Sequence, residues 1–411
     1  MNPSRRRARR AYYVFRTVAP FAFALWLAMA NLYFATAITA DPFRLAMLLV
    51  VLEASSFAFE TPTGLIADSF SRKWSMVIGY LIWGGGFLLQ AFVPIYEVTL
   101  VPQAIWGLGF TFVSGAPEAW LVDELGQEEA SALFLRGAQI GQVSTLLGIA
   151  ASTALATLHL ALPIALGGAA TILLAALLAI IMPEEGFQPA GARGLAFAQF
   201  RRTLSATIRL VRERAVLRAV VIIGVVIGSS VGGFDAMYAP HIVQDFVLPV
   251  FEPEIWFGLL LAGVTLLTLP LLELTKRRLW HERQSTTTAI LAAFAGGTVA
   301  GNLVFAWTPS FYIAALAFCV SQVLRTATKP LFMIWINRQA PSEIRATVIS
   351  LYWQSNALGQ IAFTPLLGAL GSLSSLRVAL SAASLALLPV IPIYRRHRVD
   401  DGEAKDSVSQ L

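Results

Sequence analysis

Twelve apolar stretches, each close to the length that crosses a bilayer, follow one another along the chain and leave little sequence between them. A hydrocarbon core needs about 20 apolar residues per spanning helix. Stretches of that kind run at approximately 13-38, 43-66, 74-94, 97-122, 131-158, 161-182, 215-240, 253-275, 285-308, 310-336, 346-371 and 376-394. Composition agrees: of 411 residues, 57% are hydrophobic and only 13% charged, with a mean hydropathy of +0.68. A soluble domain of this length would carry far more charge. Gly84-Gly85-Gly86, Gly232-Gly233 and Pro270 fall inside these stretches, and membrane helices tolerate such residues better than soluble ones. The fold class expected is an all-α membrane protein of twelve transmembrane helices.

The formal net charge of +6 does not imply a nucleic-acid partner, because the basic residues are scattered between apolar runs instead of covering one face of a soluble domain. They do set an orientation, since Lys and Arg are held on the cytoplasmic side. With the N-terminus inside, the cluster from Arg5 to Arg16, the pair Arg72-Lys73, Arg136, the group from Arg193 to Arg218, Lys276 to Arg283, Arg338, Arg345 and the tail from Arg395 to Lys405 are all cytoplasmic. Only Arg44 and Arg377 then face outward, and Arg325 and Lys329 stay within the membrane. Both termini are expected in the cytoplasm, as for a multi-pass protein of a bacterial inner membrane. The first span is too long for a cleavable signal peptide and lacks a small-residue cleavage site. One cysteine, Cys319, excludes an intramolecular disulfide.

The longest loop divides six spans from six. The expected organisation is a basic N-terminus (1-12), an N-terminal six-helix bundle (13-182), a linker (183-214), a C-terminal six-helix bundle (215-394) and a tail (395-411). Within the linker, Phe197, Phe200, Leu204, Ile208 and Val211 recur near helical spacing beside arginines. That pattern suits an amphipathic helix on the inner membrane surface, or equally a linker whose charges fix topology. The halves repeat: Asp68 precedes Arg72-Lys73 as Glu273 precedes Arg277-Arg278, with the two acids 205 residues apart. Duplicated six-helix halves are the organisation in which two bundles rock about a site near the midplane.

The stretch TPTGLIADSFSRKW, Thr61 to Trp74, resembles the GxLADxxGRK loop signature of the major facilitator superfamily, which lies between the second and third of twelve helices, as here. Ser71 stands where Gly is commoner, and the second copy has Leu269 where Gly64 would repeat. The runs Glu60 to Gly64, Trp106 to Glu124 and Asn337 to Ser350 are similar to a bacterial branch of that superfamily described as drug-efflux permeases. The resemblance implies two pseudo-symmetric bundles, rocker-switch alternating access, and a conformational latch formed by Asp68, Arg72 and Lys73, with Glu273 and Arg277 as its second copy. An exposed ion pair that marks topology is the plainer reading of the same residues.

Charges within spans are costly, about 2.5-3.5 kcal/mol or more at the bilayer centre, and therefore point to function. Glu53, Glu60 and Asp235 are the proton-coupling candidates, because coupling needs a carboxylate that desolvation can hold protonated near working pH. Hydroxyls at Ser55, Ser56 or Thr61 could instead satisfy a buried Glu. Ser114 to Glu118 and Ser321 to Arg325 are offset by 207 residues, so Glu118 is expected to pair with Arg325 or Lys329 across the cavity, or each charge to pair within its own bundle. Trp26, Tyr33, Trp106, Phe110, Phe234, Tyr238 and Trp335 are candidate substrate-lining aromatics, with packing as the alternative. By resemblance, proton-linked members carry an arginine where this chain has Gln103, and antiporters a glycine-proline run in the fifth helix where this chain has Gly137, Gly141 and Gly148 without the proline.

The expected function is proton-coupled export of small amphiphilic compounds. The alternatives are an importer or uniporter of a small anionic metabolite and, from another class, a non-transporting membrane sensor or scaffold. The expected partners are a small-molecule substrate, protons and the bilayer, with the chain a monomer. No cofactor or metal is implied: His159, His241, His281 and His397 fall at or near loops and form no ligand cluster. GxxxxGK[ST] is absent, and no nucleophile, base and orienting acid can be grouped, so an enzyme is not expected.

Overall fold

The computed structural model describes residues 3–188, 211, 214–279, 284–339 and 345–396. The amphipathic segment expected within the linker, the C-terminal tail beyond Arg396 and the side chain of Arg277 lie outside the described residues. All regular structure among the described residues is helical: α1 (Pro3–Tyr33), continued by a π-helical turn (Phe34–Ile38), α2 (Pro42–Ser69), α3 (Arg72–Phe92), α4 (Tyr96–Val113), α5 (Ala116–Leu125), α6 (Gln127–Ala156), α7 (Leu162–Ile181), α8 (Ala215–Asp245), α9 (Pro253–Leu279), α10 (Gln284–Trp307), α11 (Phe311–Gln339), α12 (Arg345–Leu373), α13 (Leu376–Leu385) and α14 (Val390–Arg396).

Taken end to end, α4 with α5 and α13 with α14 each form one interrupted span. Among the described residues ten spans are long and apolar enough to cross a membrane. The other two, α6 and α12, have the length, at 30 and 29 residues. Exposed Leu135, Leu147, Leu173 and Ile180 give α6 and α7 apolar surfaces that only lipid or another helix would cover. The chain is an all-α membrane protein of twelve spanning helices.

Contacts divide it into two compact units. The first comprises Met1–Ala40, Leu48–Gln199 and Phe251–Leu259, and the second Asp41–Met47, Phe200–Val250 and Leu260–Leu411.

In the first unit α1 packs on α6 and α7, and α3 on α4 and α7. Its buried core includes Tyr12, Phe15, Met76, Tyr80, Trp120, Leu121, Leu174 and Leu178. Lipid is as apolar as leucine, so close packing has to hold these helices together, and small residues allow it. Gly137, Gly141 and Gly148 line the seam of α6 against α1. A Cβ on Gly148 would lie 2.7 Å from the Phe21 carbonyl oxygen, and the Ser152 hydroxyl donates to the Leu25 carbonyl at 2.7 Å.

The helix α1 begins ten residues before the apolar run does. Its extra turns are stabilised by burial of Ser4, Ala8 and Ala11 and by Glu129 of α6, which pairs with Arg9 at 2.6 Å and with Arg5 at 3.7 Å. The arginine cluster is therefore partly structural.

In the second unit α8 packs on α12 and α13, and α10 on α11, α13 and α14. The core gathers Val220, Ile223, Leu291, Phe332, Trp335, Tyr352, Val390 and Tyr394. Backbones of α8 and α12 meet where a Cβ on Gly228 would run into the Asn356 carbonyl and one on Gly359 into that of Val225. The unit also takes in the start of α2: the Ser372 hydroxyl donates to the Asp41 carboxylate at 2.9 Å and accepts from the Phe43 amide at 3.0 Å.

Candidate functional site

Polar chemistry concentrates in two places, one in each unit. In the first unit it gathers at the end where α2 stops. Ser71 is extended and its side chain accepts from the Trp74 amide at 2.9 Å, which caps α3. The same hydroxyl donates to Glu184 at 2.6 Å, and the second Glu184 oxygen accepts from the Lys73 amide at 2.9 Å. A carboxylate thus sits on the free N–H groups and positive dipole end of α3.

Arg72 bonds to Asp123, near the end of α5, at 2.7 Å, and reaches Asp68 only at 3.9 Å. Asp123 is largely covered whereas Asp68 is 60% exposed, so the shorter contact is also the better shielded one. The chain after α7 closes over this cluster. The Trp120 indole donates to the Pro183 carbonyl at 2.8 Å, the Gly186 amide donates to Glu124 at 2.7 Å, and the Arg72 guanidinium lies 5.9 Å from the Phe187 ring centre. The Lys73 ammonium rests 5.8 Å from the Trp74 ring centre.

Of the three acids around Arg72 and the α3 terminus, Asp68 was expected from the sequence, and Asp123 and Glu184 were not. The signal for both was present: acids directly at the ends of the fourth and sixth spans, on the side where Arg72 stands.

The second copy differs. No loop follows Glu273, because α9 runs on to Leu279. Glu273 therefore lies inside a helix, where the residue in the Asp68 position of the first copy lies at a helix end, and the backbone of Arg277 is helical where Arg72 starts a new helix after a capped break.

Glu118 occupies the first turn of α5, after a break made by Ser114 and Gly115. Gly115 adopts a left-handed φ of 75° and Pro117 follows as a helix-starting residue. Its carboxylate is close enough to Tyr12 and Tyr80 to act on both electrostatically, as is Arg16. The Arg16 side chain donates to the Gly137 carbonyl at 3.1 Å. Glu53 and Glu60 lie seven residues apart on α2 and share a face. The Ser55 hydroxyl donates to the Ala104 carbonyl at 2.7 Å, and Thr63 donates to Phe59 at 2.8 Å.

In the second unit the charges lie within the helices. Arg325, halfway along the 29-residue α11, bonds to Asp235 of α8 at 2.6 Å. The two side chains are 27% and 29% exposed. Arg325 thus has a partner inside its own unit. Its guanidinium lies 6.0 Å from the Phe234 ring centre, and Phe234, Tyr238 and Phe318 stack along the α8–α11 seam. Lys329 stands one turn beyond Arg325.

His241 lies near the end of α8, four residues before its last residue Asp245, and is fully buried. Its Nδ1 lies 2.6 Å from the Asp245 carboxylate and its Nε2 3.2 Å from the Phe305 carbonyl. Among the described residues no group of three or more His, Cys, Asp or Glu could hold a metal ion.

The candidate aromatics divide by burial. Trp26, stacked on Phe87 at 4.5 Å, is buried, as are Tyr33, Phe234 and Trp335. These four act in packing: Tyr33, for instance, donates to the Gln90 carbonyl at 3.0 Å. Phe110 is exposed, and Trp106 and Tyr238 are partly so. Those three keep accessible surface, and two of them also pack, Trp106 against Trp26 at 4.4 Å and Tyr238 against Phe318 at 5.2 Å.

Among solved structures, the chain is similar to the nucleoside transporter NupG, with a TM-score of 0.74 and 12% identity over 96% of this chain and 99% of that one. It is also similar to a bacterial homologue of the human lysosomal transporter Spinster, at 0.73 and 13% over 97% and 98% of the two chains. The peptide transporter POT in complex with sulfate matches at 0.70 and 13% over 94% and 93%. In sequence it is 20% identical over 336 residues to the uncharacterized MFS-type transporter YxaM of Bacillus subtilis (strain 168), covering 80% of this chain and 81% of that protein. The family model described as Major Facilitator Superfamily matches residues 15–364. With most of the chain so matched, and with twelve spanning helices in two units, this protein is a membrane transporter of the Major Facilitator Superfamily.

Proposed function

We propose that the protein is a secondary active transporter that works by alternating access and exports a small amphiphilic compound in exchange for protons. The observation that carries this reading is the Asp235–Arg325 contact at 2.6 Å between the middle portions of α8 and α11. An ion pair there is poor economy as a fastening, because desolvation cancels much of its attraction and an apolar pair would hold two helices as well. It is well suited to coupling. Protonation of Asp235 removes the partner of Arg325 and changes the charge of the seam by one unit, which a conformational equilibrium can sense. Glu53 and Glu60 are further carboxylates in spanning segments and are candidates for the same proton.

The cluster around Arg72 is the proposed latch. Its contacts to Asp123 and Asp68, with Glu184 on the α3 N-terminus, would make one end of the first unit rigid. The arginine distribution supports cytoplasmic termini, and the reading takes the membrane as a bacterial inner membrane and the working form as a monomer. The nucleoside and peptide transporters among the similar structures support the fold and are consistent with a small organic cargo. At their low identity they do not transfer a substrate.

The test uses inverted membrane vesicles with an imposed pH gradient, a fluorescent pH probe and a panel of cationic, neutral and anionic amphiphiles. Substrate-dependent collapse of the gradient is expected for the native chain and its loss for Asp235→Asn or Glu53→Gln. A folded, inserted protein that moves no protons with any compound overturns the coupling.

A further inference from the structure

We propose that Lys329 is an anion-binding residue, so that the cargo of the transport reading above, on which this inference rests, carries a compact anionic head, a carboxylate or a phosphate, on an apolar body.

Away from the helix ends, the α8–α11 seam holds two cations and one carboxylate: Arg325, Lys329 and Asp235. Asp235 is committed to Arg325 at 2.6 Å. Lys329 has no hydrogen bond or ion pair among the described residues, although it lies near enough to Arg325 and Asp235 to interact with both electrostatically. Spaced four residues apart on one helix, Arg325 and Lys329 share a face. The seam therefore carries one net positive charge within a spanning helix, where an unbalanced charge is costly and is retained for use.

The backbone adds a second reason. Pro330 follows Lys329 inside α11 and has no N–H to give, so the Thr326 carbonyl loses its helical donor one turn earlier. Thr326 and Lys329 are both exposed. The helix is thus loosened and polar beside the one cation the seam leaves unpaired. A monoanion bridging Lys329 and Arg325 would bring the local charge to zero. The apolar body of the ligand would lie along the partly exposed Tyr238, whose ring stacks with Phe234 at 6.0 Å.

Binding is measured at equilibrium, without a gradient, on the full chain in phosphatidylcholine nanodiscs. The probes are benzoate, phenylphosphate, and their neutral and cationic counterparts benzyl alcohol and benzylammonium. Benzoate or phenylphosphate is expected to bind the native chain, at least tenfold more weakly to Lys329→Met, and with little change to Lys329→Arg. If Lys329→Met does not fold, the native chain alone decides: anions must bind and benzyl alcohol and benzylammonium must fail to displace them. Equal competition by the neutral or cationic probe, absence of anion binding, or anion binding indifferent to Lys329→Met overturns the proposal. Repeating the titration with phosphatidylglycerol in the discs separates a soluble cargo from a lipid headgroup. Binding of the soluble anions that survives the anionic lipid supports a cargo site, and occupancy by the lipid alone overturns it. A positive result here with no proton movement in vesicles would reject the coupling and leave the anion site standing, and the reverse pattern would reject only the anion site.

Discussion

Neutralising Asp235 tests whether its ion pair with Arg325 has the strength the geometry implies. Two unit charges 2.6 Å apart attract by about 6 kcal/mol at an effective dielectric constant of 20, and by about 1.6 kcal/mol in bulk water. Both side chains are between a quarter and a third exposed, so the attraction falls between these limits, and desolvation of both groups is set against it. The expected coupling energy is about 2–3 kcal/mol. Asp235→Asn should therefore cost that much or slightly more, since it also leaves Arg325 and Lys329 as like charges one turn apart. Arg325→Gln should cost a similar amount, and the double variant little more than either single one. The measurement is a double-mutant cycle of unfolding free energy in mixed detergent micelles, with Lys329→Gln added to the Asp235→Asn background as a control. Removing the second cation should recover part of the loss. If the two single losses add to within about 0.5 kcal/mol, the groups are independent, and the pair that carries the transport reading is a contact without energetic consequence.

At the latch, Asp123→Asn should lower stability by about 1–3 kcal/mol, because its bond to Arg72 is 2.7 Å and shielded, while Asp68→Asn, at 3.9 Å and more than half exposed, should stay within about 0.5 kcal/mol; limited proteolysis of the segment after α7 reads the difference, and equal effects would refute the assignment of Asp123 as the main partner. Gly359→Ala places a Cβ against the Val225 backbone whereas Gly64→Ala meets nothing within 4 Å, so the first should cost about 1–3 kcal/mol and the second close to nothing. Size-exclusion profiles after mild heating check this, and a tolerated Gly359→Ala would show that α8 and α12 can separate at no cost.

The spans were legible because the bilayer imposes a length and a composition that few other structures share. Every one of the twelve apolar stretches corresponds to a helix or an interrupted pair. The break before Glu118 was written in Ser114-Gly115-Ala116-Pro117, since glycine can take the left-handed turn and proline favours a helix start. The early start of α1 was hidden, because a run of arginines reads as a loop until its partner, Glu129, is known to lie beside it. Partner choice between helices was the least legible feature. The repeat offset pointed from Arg325 toward Glu118, with a partner inside its own bundle as the alternative, and the contact within the unit is to Asp235, 90 positions away on α8. Similarly, Arg72 was read with the acid four residues before it, and its shorter bond is to Asp123. Neither choice follows from periodicity, which fixes the face of a helix and not the helix it meets. Burial of aromatics was illegible for a related reason: on an apolar helix, a tryptophan that packs and one that lines a cavity have the same neighbours in sequence.

The cluster around Arg72 and the cluster around Arg325 use charge differently, and the difference follows from where each lies on its helices. In the first unit, Arg72, Asp68, Asp123 and Glu184 sit at helix ends, where backbone groups lack helical partners and a charged side chain can satisfy them. Four chain segments, the end of α2, the start of α3, the end of α5 and the chain after α7, are thereby fastened at one level. Charge there rigidifies, and losing one contact leaves others in place. In the second unit, Asp235, Arg325 and Lys329 sit within spanning helices that have no spare backbone partners apart from those freed by proline. Charge there is balanced only by other side chains or by something that arrives. A proton on Asp235 or an anion on Lys329 changes that balance by a whole unit, whereas the same event at the α3 terminus would be absorbed by solvent and neighbouring amides. A chain that must stay assembled while responding to a small molecule is served by this arrangement, with fixed charge placed where the backbone can hold it and variable charge placed where nothing else can compensate for it.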